Sequence, residues 1–155
     1  MNIITIGRQF GSGGRELGKR LADALGYAYY DREIITAIAG KYGMAGASVL
    51  ATKACLRAGA GKVTTVTPRK NCAIMQTAVP EAVLKVDLEE TIFSEAVDSD
   101  NYEAVAIGPG IGLHETTAIA LISQIRRSQC PVVVDADGLN ILANHRAWLQ
   151  QLPKG

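Results

Sequence analysis

Three glycine-bearing stretches and one pair of carboxylates are the residues of this chain whose types and spacing suit chemistry. Gly11-Ser12-Gly13-Gly14-Arg15 leads into a helical pattern carrying Leu17, Leu21 and Leu25. Ile107-Gly108-Pro109-Gly110-Ile111-Gly112 stands between an apolar run and a second helical pattern. Such strand-to-helix turns can aim backbone N–H groups at a phosphate, and the helix N-terminus adds partial positive charge. Tight turns in layered folds need glycine in any case, so neither loop is specific alone. The third stretch, Gly40-Lys41-Tyr42-Gly43-Met44-Ala45-Gly46-Ala47-Ser48, puts small residues at a predicted helix start. They admit either a ligand or close helix–sheet packing, and spacing alone favours packing. Asp135 and Asp137, in Val134-Asp135-Ala136-Asp137-Gly138-Leu139-Asn140, fall at the end of an apolar run. Two carboxylates there can orient a hydrated Mg²⁺ or a ribose hydroxyl. Their plainer roles are strand-end capping and the N-cap of the helix that follows. Neither histidine reads as a catalyst: His114 suits a solvated loop, and His145, near Trp148, suits a surface.

A layered fold must bring these residues to one edge. Short apolar runs alternate with helical periodicity, which predicts a three-layer αβα fold around a mainly parallel sheet. The predicted strands are Asn2–Gly7, Lys62–Thr67, Ala82–Asp87, Ala104–Gly108 and Pro131–Asp135. The predicted helices are Gly14–Leu25, Ala45–Ala58, Glu115–Ser128 and Leu139–Leu149. Val132-Val133-Val134 suits a strand covered on both faces. Residues 33–40 read two ways: Asp31 and Glu33 suit a helix start, whereas Ile34-Ile35-Thr36-Ala37-Ile38-Ala39-Gly40 suits a buried strand entering a glycine turn.

Composition sets the bounds. The 155 residues are 48% hydrophobic and 20% charged, which is ordinary for a globular domain and excludes a disordered one. A formal net charge of +1 offers no electrostatic case for nucleic acid or an anionic membrane. No apolar run approaches the ~20 residues that span a bilayer. The N-terminus lacks the basic start of a signal peptide, so the cytoplasm is the expected compartment. Cys55, Cys72 and Cys130 lack metal or redox spacing and are expected to be buried reduced thiols.

Residues 1–39 resemble the opening of the cytidylate-kinase-like P-loop family. The resemblance lies in Ile6-Gly7-Arg8-Gln9-Phe10-Gly11-Ser12-Gly13-Gly14-Arg15-Glu16-Leu17-Gly18 with Tyr29-Tyr30-Asp31-Arg32-Glu33. It implies phosphate binding by Gly11, Ser12, Gly13, Gly14 and Arg15. A Walker lysine would fall where Gly14 stands, and no Arg-rich lid or nucleoside-monophosphate pocket follows.

Residues 40–155 resemble a different family, the ADP/ATP-dependent NAD(P)H-hydrate dehydratases of ribokinase-like fold. Gly40–Ala47, Ala58-Gly59-Ala60-Gly61, Gly108–Gly112 and Asp135–Asn140 carry the match in that order. The expected architecture is thus a partial ribokinase-like fold behind an N-terminal P-loop-kinase-like βα unit, together one compact body. The resemblance implies a lyase that uses ADP or ATP with Mg²⁺ to repair hydrated NADH or NADPH. Carried over by position, Ala47, Gly108, Gly110 and Gly112 would lie against the hydrated dinucleotide. Asp135, Asp137 and Asn140 would sit at the phosphate end. The family's Gly-Thr-Gly-Asp segment, with its catalytic base, is not in the sequence, so turnover by this chain alone is not expected. An unpaired strand edge, a route to homo-oligomers, is expected with it. The alternatives are a nucleoside monophosphate kinase using the Gly11–Gly14 loop and a non-catalytic fusion fragment with weak nucleotide binding.

Overall fold

The computed structural model describes residues 20–21, 23–26 and 33–152. The chain divides into two compact units, of which Glu33–Gly155 carries the sheet. The predicted strand Asn2–Gly7 and the Gly11–Arg15 loop lie outside the described residues. Of the predicted helix Gly14–Leu25, residues 20–21 and 23–25 are described, and they are helical.

Five strands, all parallel, form one sheet in the order β3-β2-β1-β4-β5. They are β1 Glu33–Ile38, β2 Val63–Thr67, β3 Val83–Val86, β4 Tyr102–Ile107 and β5 Val132–Val134. The ambiguous stretch before Gly40 is therefore the central strand. β1 pairs on both sides, Ile38 opposite Val66 and Ile107, and that ladder overrides the helix-start signal at Asp31. The chain winds outward from β1 to β3, then crosses back to β4 and runs outward the other way. The carboxyl ends of β1 and β4 thus flank the topological switch point, where open α/β sheets form their ligand crevice.

Helices cover both faces. On one, α3 (Glu115–Arg127) and α4 (Asp137–Asn144) bury Ala118, Leu121, Ile125, Ile141 and Leu142 against Ile38, Val66, Val105 and Ile107. On the other lie α1 (Ala45–Arg57) and the short α2 (Cys72–Ala78), whose Met75 packs with Val79 and Ala82. The buried residues of α1 are Ala45, Ser48 and Thr52. Ser48 Oγ donates to Ala39 O, and Thr52 Oγ1 meets Thr65 Oγ1 at 2.7 Å. Small side chains let helix and sheet approach closely, and the buried hydroxyls find partners there, so the packing costs little.

One element went unpredicted, and three further expectations are corrected. α2 was not predicted, because seven residues are too few to show a helical period. The expected helix Leu139–Leu149 begins two residues earlier and ends at Asn144, followed by a 3₁₀ turn over Arg146–Gln151. Among the described residues β5 is an edge strand with Val133 60% exposed, not a strand covered on both faces. The cysteines are free but half-buried rather than buried.

Candidate functional site

Three strand ends meet at the switch point. Gly40 and Lys41 leave β1 and donate their N–H groups to Pro109 O at 2.9 Å and Gly110 O at 2.6 Å. The two turns are thereby laced together across the crevice. Gly108 takes φ +132°, a conformation closed to ordinary side chains, and a Cβ there would overlap the Asp135 carbonyl oxygen. Gly110, at φ +66°, lies so close to α1 that a Cβ would stand 2.6 Å from Ala47 Cβ. Ala47 and Gly110 are therefore small because they touch each other, whatever else they contact.

The third strand end is the carboxylate segment. Asp135 is exposed, and Asp137 is half-buried. Asp137 Oδ2 accepts from Gly112 N at 2.8 Å, so the carboxylate tethers the glycine turn. The N-cap of α4 is Ala136, not Asp137, and no side chain caps it. Asp137 stands in the first turn, where its charge favours the helix dipole. Asn140 follows three residues later on the same helix face and is exposed. Ala136 has φ +46°, the single non-glycine at positive φ among the described residues. Strain of this kind is kept where the surroundings over-determine it, commonly at functional edges.

The sequence reading missed Asn71. It is fully buried just beyond β2, and its Nδ2 reaches Gly40 O at 3.0 Å, Lys41 O at 3.3 Å and Thr67 Oγ1 at 3.2 Å. One carboxamide thus ties the end of β2 to the turn after β1, and Asn71 Oδ1 is left without a partner. An asparagine three residues past Pro68 carries no pattern that would mark it in advance. The loop after β3 closes over the same edge: Tyr42 N donates to Thr91 O at 2.7 Å. Asp87 organises that loop, accepting from Glu89 N, Ser94 N and Ser94 Oγ.

The histidines stay outside the crevice. His114 caps α3, its Nδ1 accepting from Thr116 N at 3.2 Å. The His145 ring stacks on Trp148 at 4.0 Å between centroids. Among the described residues no three His, Cys, Asp or Glu side chains gather as a metal site. Asp135 and the unengaged Oδ1 of Asp137 are oxygen donors that suit a hydrated Mg²⁺ sharing its shell with ligand phosphates, not a caged ion. No helix among the described residues is long and apolar enough to cross a membrane.

Comparison with known proteins supplies the relationship. The NAD(P)H-hydrate dehydratase family profile matches residues 35–154. The ADP-dependent (S)-NAD(P)H-hydrate dehydratase of Streptococcus thermophilus is 36% identical over 120 residues, covering 76% of this chain and 41% of that protein. The bifunctional NAD(P)H-hydrate repair enzyme of Escherichia coli is 37% identical over 113 residues, covering 73% of this chain and 21% of that one. The match spans 41% or less of the length of such relatives. Among solved structures, the Bacillus subtilis ADP/ATP-dependent NAD(P)H-hydrate dehydratase, co-crystallized with ATP/Mg²⁺ and soaked with CoA, superposes with a TM-score of 0.60. It is 29% identical, and the match covers 71% of this chain and 40% of that one. A sheet that switches direction at two glycine turns and a family match over residues 35–154 agree: the chain belongs to the NAD(P)H-hydrate dehydratase family.

Proposed function

We propose that the crevice between the carboxyl ends of β1 and β4 binds hydrated NADH or NADPH for nucleotide-dependent dehydration. The observation that carries this reading is the convergence of Gly40, Gly108, Gly110 and Asp137 at the switch point of a sheet that matches the family from residue 35 onward. In this reading Ala47, Gly108, Gly110 and Gly112 form the floor against the dinucleotide. Asp135, Asp137 and Asn140 face the phosphates of ADP or ATP. Asp135 and Asp137 Oδ1 would hold a hydrated Mg²⁺, which when bound neutralises phosphate charge. The test is thermal unfolding and titration calorimetry with hydrated NADPH, with intact NADPH, and with Mg²⁺–ADP. Binding of the hydrate in preference to intact NADPH is expected, with a rise in Tm. An unfolding transition indifferent to all three ligands would overturn the reading.

Two narrower readings accompany it. The cytidylate-kinase-like assignment of residues 1–39 rests on the Gly11–Arg15 string alone; CMP-dependent ATP hydrolysis lost on changing Arg15 would support it. Self-association through the β5 edge rests on the exposed Val133. Sedimentation of the wild type against Val133→Lys tests that, since an edge lysine blocks strand pairing.

A further inference from the structure

Lys41 is a cation at this crevice that no motif singled out. Its N–H donates to Gly110 O, and its carbonyl accepts from the buried Asn71, so its backbone is held from both sides. The side chain runs along the glycine turn: a Cβ on Gly112 would lie 2.8 Å from Lys41 Cδ and 3.5 Å from Nζ. The residue is half-buried. Asp137 reaches the same glycine through its N–H, yet the two charges do not pair. The Lys41 ammonium makes neither an ion pair nor a hydrogen bond among the described residues. The Gly110 N–H likewise has no acceptor among the described residues.

The ammonium carries three charged donors, and its placement along the turn suits an acceptor that arrives there. Charge balance at this edge points the same way. Asp135 and Asp137 alone would repel an anion seated on the Gly108–Gly112 turn, and among the described residues Lys41 is a cation bedded against that turn. Hydrogen bonds from a charged donor to phosphate are about twice as strong as neutral ones.

We propose that Lys41 is a specificity-determining residue whose ammonium pairs with a phosphate oxygen of the ligand lying on the Gly108–Gly112 turn. The inference rests on the reading of this crevice as a dinucleotide site. It adds that the site selects for the phosphate anion, and that one side chain from the β1 turn makes the selection.

The experiment is titration calorimetry of the full chain with two probes, hydrated NADPH and inorganic pyrophosphate, at low and high salt. Lys41→Met keeps the aliphatic stem that covers Gly112 and removes the charge; Lys41→Arg keeps the charge. The expected result is binding about tenfold weaker for Lys41→Met with both probes, a flattened salt dependence, and near-wild-type binding for Lys41→Arg. Hydrate binding indifferent to Lys41→Met would overturn the inference and leave the dinucleotide reading standing. Lys41-dependent pyrophosphate binding without hydrate binding would support the phosphate contact and overturn that reading. Failure of both probes to bind the wild type would overturn both.

Discussion

Gly112 donates its backbone N–H to Asp137 Oδ2 at 2.8 Å across 25 residues of sequence. The bond joins the turn after β4 to the first turn of α4, and it commits one carboxylate oxygen to holding the crevice in shape. Asp137→Ala is expected to lower stability by about 2 kcal/mol, since a hydrogen bond to a charged group is lost and a backbone N–H is left unpaired. Asp137→Asn, which keeps an acceptor, is expected to cost about half as much. Urea unfolding of the three proteins checks the order. Equal stability of Asp137→Ala and wild type would mean the tether does not form in solution.

Two glycines separate backbone conformation from close approach. Gly43→Ala meets no neighbouring atom and bears only the penalty of φ +84°, about 1 kcal/mol. Gly108→Ala combines positive φ with overlap on the Asp135 carbonyl, and is expected to lose 3 kcal/mol or more, by about the cost of overpacking added to strain. A difference under about 1 kcal/mol between the two melts would contradict the close approach of β4 and β5 ends.

Asn71 offers a test of the turn after β1. Asn71→Ala removes the donor to Gly40 O and Lys41 O from a fully buried position, and about 2 kcal/mol of stability should go with it. Asn71→Asp should be worse at neutral pH, because a carboxylate oxygen would then face two carbonyl oxygens. Denaturation midpoints at fixed m-value read the comparison.

The thiols give a prediction in pH. Burial raises the Cys55 and Cys130 pKa above the usual 9.0, with the nearby Asp100 charge a lesser contributor at Cys130. A raised folded-state value means the folded protein holds the proton more tightly. The associated stability is present below pH 9.0 and is lost as pH climbs through the folded-state value. Alkylation of Cys55, followed by peptide mass mapping, should therefore rise at higher pH in the native protein than in the urea-unfolded chain. Coincident profiles would show that Cys55 is not shielded.

Much of the fold was legible because parallel strands covered by helices leave strong local marks. Val63–Thr67, Tyr102–Ile107 and Val132–Val134 fall within a residue or two of their predicted bounds. So do helices Ala45–Arg57 and Glu115–Arg127. The failures share a cause in contacts remote along the chain. The segment after Asn144 looked helical but follows the stack of His145 on Trp148 into a 3₁₀ turn. The α1 stripe looked unremarkable because its buried positions are hydroxyls, and only their partners on the sheet make them a core face.

The amino-acid sequence by itself determined where the turns must be glycine and where carboxylates end a strand, because these depend on φ and on near neighbours. Tertiary structure alone decided that Gly40, Gly110 and Asp137 share one crevice, because strand order is set by long-range pairing that no local pattern encodes. It also decided what those residues are free to do. Asp137 looked like a cap and is a tether, Asn71 looked like nothing and is a clasp, and Lys41 lies unpaired along the turn that the glycines keep open.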